Sequence, residues 1–185
     1  SDKFRIQNDT FANYSMITCG GQSSAPLVHA ISRHSKKVLE IEVSSSIASQ
    51  SAGPATRLNI DQYIESTENL TKLISSCEQV KTILVLNPAE PPVMMRTTVH
   101  AKVLEFDLSA IKDEVKLIVD KIKKYVPGYD VVVEPYISSL NTVSATVKVT
   151  GAGYFLPSYA GNLDIINAAA VETARRHAET IREKI

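Results

Sequence analysis

Three prolines within five residues, in the stretch Asn87-Pro88-Ala89-Glu90-Pro91-Pro92, set the firmest local limit on how this chain can fold. Each ring fixes φ and removes an amide donor, so the stretch is a rigid, extended turn and neither a helix nor an inner strand. Strand-type sequence flanks it. Gln79 to Leu86 predicts a buried strand, and Thr97 to Asp107 returns to strand chemistry. Upstream, Val38 to Ala48 alternates, with Leu39, Ile41, Val43 and Ser45 on one side and Glu40 and Glu42 on the other. That is the period of a strand with one solvated face. Val131 to Ile137 and Val143 to Val149 predict a further pair, and Asn13 to Thr18 a short strand leading to Cys19.

Helical spacing fills the intervals. Gly20 to about His34 places Leu27, Ala30 and Ile31 on one face, with Pro26 expected near the first turns, where a missing N–H costs least. Ser49 to Arg57, with Ser51-Ala52-Gly53-Pro54, reads as a loop. Asn59 to about Ser76 is amphipathic through Ile60, Ile64, Leu70, Leu73 and Ile74, with Asn59 or Asp61 as capping candidates. Ile111 to Tyr125 points Val115, Leu117, Ile118 and Ile122 inward and stops at Val126-Pro127-Gly128. Asn162 to Ile185 forms a closing helix whose face is Leu163, Ile166, Ala170, Ala174, Ala178 and Ile181. Strands and helices mixed without a regular βαβ alternation predict an α+β fold, one mixed and mostly antiparallel sheet covered by helices. A chain of 185 residues, 44% hydrophobic and 22% charged, suits one domain over residues 1–185.

Charge and cysteine content narrow the function classes. Twenty basic and twenty acidic residues leave no net field to attract nucleic acid or anionic lipid. The run Lys121-Ile122-Lys123-Lys124 falls at a predicted helix end, where cations are favoured. Apolar runs such as Ile83-Leu84-Val85-Leu86 are far below the roughly 20 residues that cross a bilayer. Two cysteines and no charged-then-apolar leader fit a reducing cytoplasm, and the start at Ser1 without methionine reads as a fragment or a processed end. Scattered histidines and cysteines give no metal-ligand spacing, so no metal is expected. The one GxG, Gly151-Ala152-Gly153, reads as a turn, and without GxGxxG the chain lacks a complete NAD-binding domain of its own.

Cys19 is the candidate nucleophile. It lies beside Gly20 and Gly21 just before a helix, where free amide N–H groups and the dipole favour a thiolate and an oxyanion, and where glycine lets a substrate approach the backbone. Cys77 is expected to be a buried structural cysteine. A Cys/His hydrolase needs an imidazole at the sulfur. His29 is ~15 Å along the same helix, His34 is farther, and neither His100 nor His177 is placed near the thiol by the sequence.

Met16-Ile17-Thr18-Cys19-Gly20-Gly21-Gln22 resembles the acylating acetaldehyde dehydrogenases that pair with 4-hydroxy-2-oxovalerate aldolases. The same family order continues through Ser51-Ala52-Gly53-Pro54-Ala55-Thr56-Arg57, Asn59-Ile60-Asp61, the proline turn, Tyr125-Val126-Pro127-Gly128-Tyr129 and Tyr159-Ala160-Gly161-Asn162-Leu163-Asp164-Ile165. The resemblance covers nearly the whole chain but only the part of the family protein after its N-terminal Rossmann half. It implies a fold like the catalytic domain of glyceraldehyde-3-phosphate dehydrogenase, with which Ala25-Pro26 agrees.

It further implies an oxidoreductase in which Cys19 attacks acetaldehyde, NAD takes hydride and the acyl-thioester passes to coenzyme A, within aromatic-hydrocarbon catabolism. By the same resemblance Ser51, Ala52, Gly53, Pro54, Ala55, Thr56, Arg57, Leu58, Asn59 and Asn162 contact NAD from the catalytic-domain side, and Asn59 and Ile60 lie on the aldehyde's route. A homodimer and an aldolase partner are expected. Two departures stand out. Met95-Arg96-Thr97-Thr98 carries threonine where the family pattern is Met-Arg-Asp-Thr, and the segment between Tyr129 and Tyr154 is shorter than the family's, which trims a partner-facing loop. An interaction domain without catalysis is the competing class, with the face bearing Val143 and Val149 as its candidate surface.

Overall fold

The computed structural model describes residues 13–182; the expected polar lead-in and the last three residues of the closing helix lie outside them. The elements in chain order are α1 (Cys19–Arg33), β1 (Ser35–Ala48), α2 (Pro54–Leu58), α3 (Ile60–Ser75), β2 (Val80–Asn87), β3 (Met95–Phe106), α4 (Leu108–Ile122), β4 (Tyr129–Ser139), β5 (Thr142–Val149) and α5 (Gly161–Arg182). The five strands form one sheet in the order β2-β1-β3-β5-β4. Only β1 and β2 run parallel; the other three pairings are antiparallel. The α+β expectation of a mixed, mostly antiparallel sheet is met. No helix among the described residues is long and apolar enough to cross a membrane.

Alternation decides the layers. Ile41, Val43 and Ile47 of β1, Val99, Ala101 and Val103 of β3, and Val143, Ala145, Val147 and Val149 of β5 are all buried. They face α1, which lies across the middle of the sheet and touches α3, α4 and α5 as well as β1, β3 and β5. Leu27, Ala30 and Ile31 are at most 1% exposed, so α1 is a core helix and not a surface one. Among the described residues, helices cover this face only. The opposite face carries Glu42, Arg96, Thr98, His100, Lys102 and Lys148, none of them buried. Val143 and Val149 therefore belong to the core and cannot form an outward docking face.

Several local expectations are corrected. Residues 13–18 are irregular, with Ile17 at φ 62°, and not a strand. Pro26 sits in the interior of α1, past its first turns. Its missing N–H leaves the Gln22 carbonyl without the usual i+4 donor. Residues 49–58 are a 3-10 turn followed by the short α2, where a loop was expected. Asn59 does not cap α3 through its side chain, which bonds to Ala55 instead. β2 is an edge strand with only Thr82 buried. The proline turn spans the end of β1, because β2 and β3 flank that strand and do not pair with each other. On the helices, Leu73 and Leu117 are exposed, while Thr67, Thr71 and Val119 point inward. In α5 the inner face is Asn162, Ile165 and Ala169, and Leu163, Ala174, Ala178 and Ile181 are exposed.

Tyr129, fully buried at the start of β4, donates its hydroxyl to the Ser23 carbonyl of α1 at 2.7 Å. Burial, with the nearby Tyr125 adding to it, pushes the phenol well above its ordinary range. Such a group stays protonated in the folded chain after its unfolded counterpart ionises, so its stabilisation is complete below about pH 10 and lost as pH rises beyond that. Tyr129→Phe should cost about 1 kcal/mol at neutral pH, the worth of one hydrogen bond. Its stability should also fall less steeply than wild type between about pH 9 and 11. Urea unfolding across that range checks both, and identical alkaline slopes would remove Tyr129 as the cause.

Candidate active site

Cys19 occupies the first position of α1, and the turn before it is built for that placement. Thr18, extended at φ −141°, caps the helix by accepting from the Gly21 amide at 2.8 Å through its side chain. The same hydroxyl meets Thr67 Oγ1 at 2.7 Å, and Thr67 in turn donates to the Tyr63 carbonyl at 2.8 Å. With one proton per hydroxyl, the consistent order is Thr18 donating to Thr67 and Thr67 to Tyr63. α3 is thereby clamped to the start of α1, with Tyr63 one turn from the clamp.

The clamp brings the Tyr63 hydroxyl to the thiol: Cys19 donates its S–H to Tyr63 Oη at 3.9 Å. A side chain on residue 20 would obstruct this, since a Cβ there would lie 2.0 Å from the Tyr63 hydroxyl and 2.9 Å from Ser45 Oγ. Gly20 thus makes room for a tyrosine of this chain. Gly21 serves close packing against Leu70, Thr18 and Ile17, and its amide is committed to the cap. The donors left at the sulfur are the amides of Cys19 and Gly20.

Beneath the thiol lies a line of buried hydroxyls. Ser45 Oγ lies with Tyr63 Oη against the place a Gly20 Cβ would occupy and meets Thr97 Oγ1 at 3.0 Å; Thr97 meets Ser23 Oγ at 2.7 Å, and Ser23 donates to the Gly20 carbonyl at 3.1 Å. Ser45 and Thr97 are paired across β1 and β3, and Ser23, Ser45 and Thr97 are fully buried. Thr97 therefore sits inside the thiol's own cluster.

The electrostatics run against the simple helix-start expectation. Cys19 is 7% exposed, and burial pushes its thiol up; the Tyr63 hydrogen bond and the Gly20 and Cys19 amides pull it down but do not prevail. No imidazole or carboxylate among the described residues bears on the sulfur. His29 and His34 meet Glu114, His100 meets Ser144, and His177 meets Tyr14. Cys77 is buried and bonded to the Gln79 carbonyl, a structural cysteine as expected. Among the described residues no group of three acidic, histidine or cysteine side chains can hold a metal. A cleft of about 620 Å³ opens between Met16, Gly21, Leu70, Ile74, Arg176 and His177, and Cys19 is not among its walls.

The other candidate residues separate into two sets. Asn162, 3% exposed at the start of α5, donates to the Ser51 carbonyl at 3.4 Å while its own Oδ1, buried, has no hydrogen-bond partner. Ser51, distant in sequence but joined to it by that bond, is buried, and so is Ala52. Gly53, Pro54, Ala55, Arg57, Leu58 and Asn59 are exposed and Thr56 half-buried. Arg57 folds back on its own loop, bonding the carbonyls of Ala52 and Ser49, and Asn59 bonds Ala55. Those two side chains brace the loop. Sequence reasoning did not single out Tyr63, Ser45 or Ser23; the available signal was polar residues at inward positions of α1 and β1.

The family described as prokaryotic acetaldehyde dehydrogenase, dimerisation, matches residues 19–157. An acetaldehyde dehydrogenase of Pectobacterium atrosepticum is 52% identical over 159 residues, covering 86% of this chain and 53% of that protein. One of Spirochaeta aurantia is 47% identical, covering 93% and 58%. The chain spans about half the length of the curated relatives it matches. Among solved structures, aspartate semialdehyde dehydrogenase II of Vibrio cholerae is similar with a TM-score of 0.46 at 13% identity, over 85% of this chain and 57% of that one.

The contact between Gly20 and Tyr63 can be tested as a coupling. Gly20→Ala should destabilise the chain by about 1–3 kcal/mol, the usual cost of overpacking. In a Tyr63→Phe background, which removes the atom 2.0 Å away, the same change should cost clearly less. A double-mutant cycle by urea unfolding measures the difference, and strict additivity would show that the hydroxyl is not what Gly20 accommodates.

Proposed function

We propose that this chain, which belongs to the prokaryotic acetaldehyde dehydrogenase dimerisation family, is the thiol-bearing domain of an acylating acetaldehyde dehydrogenase, with Cys19 as acyl carrier. The reaction is acetaldehyde, NAD and coenzyme A to acetyl-CoA and NADH. The observation that carries this reading is the Cys19 sulfur at the first turn of a buried helix, beside the helix-start amides and donating its S–H to the Tyr63 hydroxyl. The alternative, a pairing domain without catalysis, draws on the family's dimerisation description and does not account for that cluster.

In the first step the Cys19 thiolate attacks the carbonyl carbon, a C–S bond forms and the carbonyl π pair moves to oxygen. The amides of residues 19 and 20 are placed to stabilise charge at this helix start. NAD, when bound, accepts the hydride whose loss turns the thiohemiacetal into a thioester. The coenzyme A thiolate then attacks that thioester and expels the Cys19 thiolate, an exchange between sulfurs that suits a cysteine carrier. Most of the NAD site belongs, in this reading, to a Rossmann domain outside these 185 residues. Asn162 fits the role of holding the carboxamide end, because its buried Oδ1 lacks a donor. Gly53 and its exposed neighbours offer open backbone to the same ligand. The chain pairs with a second copy and receives its aldehyde from a 4-hydroxy-2-oxovalerate aldolase in the cytoplasm.

Incubating the chain with acetyl-CoA should give a single acetyl adduct by intact mass, located on the Cys19 peptide. Cys19→Ala should reduce labelling by about tenfold or more, since no other nucleophile among the described residues is so placed. Equal labelling of the variant, or an adduct on Cys77, would end this reading.

A further inference from the structure

Tyr63 touches the sulfur, and the way it is held distinguishes it from a packing residue. Its ring is carried by α3, which Thr67 clamps to the Thr18 cap of α1. Its oxygen occupies the space above Gly20 where any other residue would carry a Cβ. Behind it, Ser45, Thr97 and Ser23 are linked hydroxyl to hydroxyl and end on the Gly20 carbonyl.

With the thiol protonated, one ordering serves every hydroxyl: Cys19 S–H donates to Tyr63, whose own O–H is free to turn to the adjacent Ser45, while Ser45 donates to Thr97, Thr97 to Ser23, and Ser23 to the carbonyl of Gly20. Each member is both donor and acceptor, so the line can reverse by rotating O–H bonds. When hydroxide removes the thiol proton as water, Tyr63 turns to donate to sulfur, Ser45 to Tyr63, Thr97 to Ser45 and Ser23 to Thr97. The only acceptor released is the Gly20 carbonyl.

We propose that Tyr63 is a catalytic residue whose hydroxyl donates to the Cys19 thiolate, and that Thr97 is a positioning residue acting on it through Ser45. This rests on the reading of Cys19 as nucleophile and adds the group that makes its ionisation possible in a dry site. Among the described residues Tyr63 is the one titratable group against the sulfur. β1 and β3 present only the neutral hydroxyls of Ser45 and Thr97 to the cluster. Burial and the adjacent Cys19 hold the Tyr63 phenol far above its ordinary range, so it remains a neutral O–H donor wherever the thiolate is present. Threonine at 97 supplies a hydroxyl that can both give and take a hydrogen bond, and valine of the same shape cannot.

The test is iodoacetamide alkylation against pH, read by mass on the Cys19 peptide separately from Cys77. In Tyr63→Phe the pH midpoint for Cys19 should rise by about one unit, the effect of losing a hydrogen bond to the charged form. Thr97→Val should move it in the same direction by less. Tyr154→Phe, at a residue 97% exposed, should leave it unchanged. A Tyr63→Phe profile superimposed on wild type, or moved downward, overturns the proposal; an unmoved Thr97→Val profile overturns the positioning role. Should Tyr63→Phe not fold, Ser45→Ala keeps the phenol and removes its hydroxyl partner; it must raise the midpoint, and no rise overturns the proposal. Failure of acetyl transfer from acetyl-CoA would sink the acyl-carrier reading alone, because alkylation reports ionisation without acyl chemistry.

Discussion

A helix enclosed on nearly every side must find partners for its polar groups inside the protein, and α1 is such a helix. Ser23 and Ser24 donate to the carbonyls of Gly20 and Gly21, Tyr129 donates to Ser23, and Thr18 takes the Gly21 amide. These bonds are the condition on which a helix with an internal proline and two leading glycines can lie on the sheet at all. They also leave the first residue of the helix in a dry place. Charging a buried group costs several kcal/mol, whereas a helix start returns at most about 2. Burial therefore prevails at Cys19, and the direction of its titration follows from the packing.

That balance explains why the surroundings of the thiol are hydroxyls. A neutral O–H can be buried for the cost of finding one acceptor and one donor, and a chain of them satisfies its members internally. β1 and β3 supply two by pairing Ser45 with Thr97, α1 supplies Ser23, and α3 supplies Tyr63. Gly20 closes the arrangement, since its missing Cβ is the space the phenol oxygen fills. Packing and chemistry are one set of constraints at this end of α1.

The strands and the core helix were legible because their periods are strong: β3, β1 from Ile41 and β5 from Ala145 alternate, and Leu27, Ala30 and Ile31 mark the inward side of α1. Faces of the outer helices were less so. Leu73, Leu117 and Ala174 are apolar yet exposed, while Thr67 and Thr71 are polar yet buried, because α3 meets α1 through its hydroxyls. Strand β2 looked buried from its apolar run, but its place at the sheet edge depends on pairing that local sequence does not encode. Cys19 announced itself by its glycines and the following helix. Tyr63 reaches the thiol, Ser45 reaches Thr97 and Thr97 reaches Ser23 across sequence separations of 44, 52 and 74 residues, and each alone reads as an ordinary member of its element.

Position 97 shows how one side chain sets the character of such a site. Lying between Ser23 and Ser45 with no solvent exposure, a carboxylate there would share the thiol's dry environment, and burial would raise its own titration toward that of the thiol. Two acids linked through neutral hydroxyls would then titrate as a pair, with the proton free to rest on either. Threonine brings no second acid to the cluster. The thiol of this chain is left to ionise alone, against burial, with only reorienting hydroxyls and two backbone amides to hold the charge, so the strength of those few hydrogen bonds fixes the pH at which Cys19 becomes a nucleophile.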